Sequence, residues 1–210
     1  MMKDLIERRL ADPTLPMEEA FSQQLKEEKL ELPAGQFALF MNSMYAVDAY
    51  VRDYFRKAAL DALLAEKLPV TVFGEGWEKY SCGDEHSLRR EPAVPFALSF
   101  ERIAKAHVLL NVSPIFNRGM HDRVPAGMAN HAVVLTDENP YLRRTFTDGK
   151  ELLFYSLEKP DTLCEQAERT LTDVRLREKI AASAYETFER EYTWKRRAEQ
   201  ILAFAEEVEA

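Results

Sequence analysis

The chain is short of what several protein classes require. It has two cysteines, Cys82 and Cys164, far apart in sequence, so no disulfide framework is written into it and a reducing compartment is expected. The segment CGDEH sets Cys82 near His86. A zinc site needs about four ligands, and no second ligand pair follows, so no metal is expected. The opening MMKDLIERRL has no apolar signal region. No later stretch reaches the ~18 apolar residues of a membrane span. A cytoplasmic chain without a membrane span is therefore the expectation. Positive charge is also scarce: 28 Lys and Arg stand against 36 Asp and Glu, a net charge of −8. Nucleic-acid binding needs clustered Lys and Arg, so no nucleic-acid partner is expected. A small local basic pocket is compatible with this balance. No tandem repeat or low-complexity tract is present.

Apolar residues make up 46% of the chain, enough for a sizeable core. Residues 1–32 place Leu5, Ile6, Leu10, Met17, Ala20, Phe21 and Leu25 at helical spacing, interrupted at DPTLP. After the breaker LPAG, residues 36–67 contain neither Gly nor Pro. Phe40, Met44, Val47, Tyr50, Val51, Phe55, Ala59 and Leu63 recur at intervals of three and four, which predicts one long amphipathic helix. After Pro69 the pattern changes. VTVFG, HVLLNV, AVVLTD and ELLFYS are short apolar runs of the buried-strand kind, and LRRE before Pro92 is a candidate short strand. FALSFERIAKA, HDRVPAGMAN, NPYLRRTF and the closing segments from Pro160 read as helical. Asp161 and Thr193 are candidate caps, and Trp194 is expected to anchor the last helix. Strands alternating with helices imply an α/β fold with a parallel sheet, covered by helices on both faces. The expected division is a helical N-terminal segment over 1–68, including a long linker helix, and a Rossmann-like domain over 69–210.

In such sheets ligands sit beyond the carboxyl ends of the strands. That rule selects three loops: GEGW, SPIFNRGMHDR and TDENPY. Gly74 and Gly76 would let backbone approach a pyrophosphate, though no third glycine follows at dinucleotide-fold spacing, and a tight turn explains them equally. The second loop leads into a helix start, where free N–H groups and a partial positive charge favour an anion. Arg118 and Arg123 add forked donors suited to phosphate. The plainer alternative has Asp122 capping the helix and both arginines paired with carboxylates. Pro125 fits a first helical turn but deletes a donor that a phosphate could have used. His121 lacks a nucleophile to activate: Ser113 is the nearest hydroxyl, and no nucleophile elbow surrounds it. Most aromatics read as core. Only Trp77 and Tyr141, in edge loops, are candidates for contact with a sugar or base.

LPVTVFGEGWEKY, the run from AHVLLNVSP through HDRVPAGMANHAVVLTDENPYL to LLFYSLEKPDTL, and the closing REYTWKRRAEQIL together resemble the C-terminal half of a GT-B glycosyltransferase. The nearest variety is the CgeB-like, or spore-maturation-protein-like, group, over roughly residues 36–205. The resemblance implies a Rossmann-like domain that holds a nucleotide diphosphate sugar as donor substrate, with no cofactor and no essential metal. It implies Gly74 and Gly76 near the phosphates or the acceptor cleft, and Gly119, His121, Asp122 and Arg123 near the diphosphate and sugar. Asp137, Asn139 and Tyr141 would stand at the next strand end, near the donor. Many relatives carry a pair of glutamates here, one for the ribose and one near the sugar. The matching places are Arg118 and Ala126, and Ala126 cannot hydrogen-bond a ribose, which implies altered donor binding. The acceptor side is expected from another domain or a partner subunit. The alternative is a non-catalytic interaction module derived from this fold, dimerising through its exposed helices. A hydrolase on a similar sheet lacks both a nucleophile and metal-ligand acids.

Overall fold

The computed structural model describes residues 2–114, 116 and 118–209, with Glu209 in its backbone alone. Ile115 and Asn117 of the SPIFNRGMHDR loop lie outside the described residues. Four helices come first: α1 (Met2–Ala11), α2 (Met17–Glu27), α3 (Ala34–Ser43) and α4 (Tyr45–Ala65). The single long helix expected over 36–67 is thus two. The break falls at Met44, whose ψ of −2° closes α3 with N–H bonds to Phe40 and Met41 carbonyls. Each half has its own partner. Phe37 and Phe40 of α3 lie against Phe21 of α2 at ring distances of 5.3 and 6.1 Å, while α4 packs on α1.

The alternating part follows as β1 (Val70–Phe73), β2 (Leu88–Glu91), α5 (Phe96–Ile103), β3 (Val108–Asn111), α6 (Arg123–Ala129), β4 (Val133–Asp137), α7 (Pro140–Thr145) and β5 (Leu153–Tyr155). LRRE is therefore a strand. All pairings between named strands are parallel, in two sheets: β1 with β2, and β3–β4–β5 in that order. The chain ends in α8 (Pro160–Thr172), α9 (Val174–Glu191) and α10 (Trp194–Glu209).

Every residue of β4 and β5 is buried, which explains their unbroken apolar runs. Successive side chains leave opposite faces of a strand. Val133, Leu135, Leu153 and Tyr155 join a core with Leu163 and Ala167 of α8 and Val51 and Phe55 of α4. Val134 and Phe154 join another with Val124 and Met128 of α6 and Ala184 of α9. Helices thus cover both faces, as expected. The first of these cores also holds Leu5 and Phe21, so it runs across the boundary drawn at residue 68.

Gly127 fixes how closely α6 meets the sheet: a Cβ there would lie 2.4 Å from Val134 Cγ2 and 3.0 Å from Leu109 Cδ2. At the last helices two expectations meet different outcomes. Thr193 Oγ1 accepts the Arg196 N–H as a cap. Asp161 lies inside the first turn of α8, because Lys159 is its N-cap and Pro160 its first residue. Trp194 anchors nothing: it is 90% exposed, since α10 turns its apolar side to solvent.

Candidate functional site

The polar cluster of the molecule stands at the carboxyl edge of β3–β4–β5. Asn111, the last residue of β3, pairs in register with Thr136 of β4. Its side-chain Nδ2 donates to Thr136 Oγ1 at 2.9 Å, while Oδ1 accepts from Ser113 Oγ at 3.0 Å and from an Arg123 guanidinium N–H at 2.7 Å. Tyr155 at the end of β5 donates its hydroxyl to the Asn111 carbonyl at 3.1 Å. Asp137, at the end of β4, accepts the Ser113 N–H at 2.8 Å. Burial pushes the Asp137 carboxyl up to about 7, against the Ser113 N–H bond and the charge of Arg123, which pull it down. Asn139 caps α7 through Leu142 N–H at 2.8 Å and donates to the carbonyls of Phe116 and Gly119 at 2.9 and 3.2 Å. Asp137 through Oδ1 and Asn139 through its amide nitrogen therefore hold the neighbouring loop.

The start of α6 differs from the expectation. The Arg123 N–H donates to His121 Nδ1 at 3.1 Å, and the Val124 N–H to the His121 carbonyl at 3.0 Å. Pro125 has no N–H. The first turn thus keeps no free amide for an anion. Asp122 makes no side-chain cap; His121 does that work. His121 Nδ1 also lies 2.5 Å from Asp122 Oδ1. One nitrogen cannot serve both: bare, it accepts from Arg123; protonated, it donates to Asp122. Burial first, and the charge of Arg123 second, lower the His121 pKa, so the ring is uncharged at neutral pH. The Asp122 side chain is 73% exposed and is free to turn to water.

Cations dominate the rest of the cluster. Burial lowers the Arg123 pKa, with Arg52 acting in the same direction. Burial, then Arg123 and Arg52, lower that of Arg56. Arg52 and Arg56 stand one turn apart on α4, a helix whose sequence pattern marks them only as its polar face. They were missed for that reason. Both share Asp53, at 3.5 and 3.8 Å. Arg118 is instead engaged with Glu19 of α2, so of the four ionisable loop residues Arg123 and His121 are the ones that join the cluster.

The other expected residues are spread out. Gly74 and Gly76 have φ of +122° and +90°, so a turn alone requires glycine at both places. They follow β1, in the other sheet. Trp77 packs beside Leu60, Leu64, Val72 and Leu88, and its ring N–H donates to the Phe73 carbonyl at 3.3 Å. Tyr141 packs against the core around Val134 and Phe154. Gly119 has open space around it and offers its carbonyl to Asn139. Asn111 stood in the sequence only as part of the HVLLNV run, because its role depends on a register that spacing does not reveal. Among the described residues, no three His, Cys, Asp or Glu side chains gather as a metal ion would need.

A family model described as glycosyl transferase-like matches residues 52–203, which takes in Arg52 and the whole carboxyl edge. The chain belongs to the glycosyl transferase-like family. Solved structures similar to this glycosyl transferase-like chain include Anabaena HepE in complex with UDP-glucose, at 12% identity and a TM-score of 0.59. HepE with UDP matches at 11% identity and 0.59, and HepE with UDP and glucose at 12% and 0.58. Each covers 73% of this chain, and the chain spans 44% of the HepE chain. At this identity the likeness shows the GT-B fold. No curated protein matches the sequence. No helix among the described residues is long and apolar enough to cross a membrane.

Proposed function

We propose that the chain is the donor-binding half of a glycosyltransferase, of the CgeB-like kind, which transfers a sugar from a nucleotide diphosphate sugar to an acceptor held by another domain or subunit. The observation that supports it most is Arg123. Its guanidinium stands at the carboxyl edge of the three-stranded sheet, held by a neutral amide oxygen rather than a carboxylate, within the segment that the family model matches. A forked cation kept short of a counter-charge suits a diphosphate. Its part in catalysis is to stabilise negative charge on the departing diphosphate. With α6 offering no free N–H in its first turn, side chains carry that work. Ala126 presents no group to a ribose, so affinity rests on the phosphates more than on the nucleoside. The HepE complexes hold UDP and UDP-glucose on the same fold, which makes those the first ligands to try.

Isothermal titration of the protein with UDP, GDP and their glucose conjugates tests the reading. Binding of at least one is expected, and no heat from any of them at millimolar ligand would sink it. A second reading, an interaction module without transfer activity, draws support from α10, where Ile201, Leu202, Phe204 and Val208 are each more than 60% exposed. Under it the chain self-associates through such helices. A strict monomer by light scattering at high concentration removes that alternative.

A further inference from the structure

The three-stranded sheet's edge is not served by its own loops alone. Arg52 and Arg56 of α4 are a turn apart, and their side chains are 25% and 33% exposed, so they lie folded against the protein rather than out in water. Their shared partner is one aspartate: Asp53 lies 3.5 Å from Arg52 Nε and 3.8 Å from an Arg56 terminal nitrogen, with its own side chain 68% exposed. Such an exposed carboxylate neutralises little. Among the described residues Arg123 forms no ion pair, and its guanidinium bonds the neutral Asn111 Oδ1 at 2.7 Å. The acids that act on Arg123 are Asp122, which faces solvent, and Asp137, which is buried and pushed up to about 7. Val51 and Phe55, the neighbours of Arg52 and Arg56 on α4, share a core with Tyr155, whose hydroxyl meets the same Asn111 that holds Arg123. The three arginines thus stand at one edge, beside the uncharged His121, with little fixed negative charge among them. Like charges so placed repel, and an ordinary salt-bridge network would have matched them with carboxylates. A polyanion is the charge that fits.

We infer that Arg52 and Arg56 of α4 join Arg123 in a guanidinium clamp that binds the diphosphate of the donor. This rests on the reading of the chain as a donor-binding half, and it names where the phosphate contacts come from. Two of the three cations are supplied by α4, the helix ahead of the sheet. The clamp takes over from the amides at the start of α6, which His121 and Pro125 close. Arginine suits it because each guanidinium offers parallel N–H donors to two phosphate oxygens, where lysine offers a point charge.

The test uses inorganic pyrophosphate and UDP, titrated calorimetrically into the wild type, Arg52→Gln, Arg56→Gln and Arg56→Lys, with circular-dichroism melts to verify that each variant is folded. Pyrophosphate should bind the wild type, and each Gln variant should weaken both ligands by roughly tenfold or more, the scale of a charged hydrogen bond. Arg56→Lys should recover part of the loss, and raising salt should flatten the differences. If UDP binds and the Gln variants bind it as well as the wild type, the clamp is wrong and the donor-binding reading stands. If pyrophosphate binds in an arginine-dependent way while no nucleotide does, the clamp is right as a phosphate site and the donor-binding reading falls. If neither ligand binds folded wild type, both fall.

Discussion

Replacing Asp137 with Asn exchanges one buried carboxylate oxygen for an amide and leaves the other to accept the Ser113 N–H. The energetic consequence depends on pH, and the direction follows from burial. In the unfolded chain the carboxyl titrates near its ordinary 3.8, and in the fold near about 7. Between those values the folded protein holds a proton that the unfolded chain has released. Stability contributed by this group therefore falls as pH rises from about 4 to about 7 and is level above that. At about 1.4 kcal/mol per pH unit, the full cost of ionising Asp137 in place is roughly 4 kcal/mol, and local rearrangement brings the expected figure to about 2–4 kcal/mol. The Asn variant carries no such titration. The NH2 it introduces adds a penalty of its own, but one independent of pH. The diagnostic quantity is the difference in unfolding free energy between variant and wild type, measured by urea denaturation at about pH 4.5 and about pH 8. That difference should move in favour of Asn by about 2–4 kcal/mol over the interval. A difference equal at both pH values within about 0.5 kcal/mol would refute the reasoning, because it would mean that the carboxyl is ionised in the fold throughout.

Arg123→Ala should weaken UDP binding by about 1.5–3 kcal/mol, and an unchanged affinity in titration calorimetry would take Arg123 out of the site. Gly127→Ala puts a methyl 2.4 Å from Val134 Cγ2, so α6 must lift from the sheet, lowering stability by about 1–3 kcal/mol in thermal unfolding. A variant as stable as the wild type would show that the helix moves freely there. Asn139→Ala removes the α7 cap and the ties to the Phe116 and Gly119 carbonyls, at a cost of about 1–2 kcal/mol. Faster hydrogen exchange at the Leu142 amide is the matching local signal.

AVVLTD and ELLFYS were legible because a strand buried on both faces is written as an apolar run. VTVFG and HVLLNV are strands too, but not buried ones: β1 leaves Thr71 and Phe73 exposed, and β3 is half-buried as far as Leu110. Even LRRE, which has no such run, becomes a strand because its neighbour β1 lies in register, from Val70 with Leu88 to Phe73 with Glu91. The break at Met44 was not legible. It has no glycine or proline to mark it, and it exists because α2 and α1 draw the two halves in different directions. At the site, sequence order identified the loops and Arg123 but not what holds them. Asn111, Ser113 and Tyr155 meet only through strand register, and Arg52 and Arg56 reach that edge only because α4 shares a core with Tyr155. Hydrogen bonding inside the loop also escaped the pattern: a His followed by Asp and Arg suggests open donors, yet the His consumes the first of them.

The gap between the two sheets has a consequence for how the molecule opens. Among the described residues β1 and β2 share a ladder with no other strand, and their buried contribution is Val72 and Leu88, packed with Leu60 and Leu64 of α4. The β3–β4–β5 unit is enclosed on both faces. With no ladder joining them, they need not unfold together. The small sheet is then the first cooperative unit to exchange its amides, while those of β4 persist close to global unfolding. A ligand held at the large sheet's edge should slow exchange in one unit and leave the other at its own rate, so the molecule would report occupancy from one side of the seam.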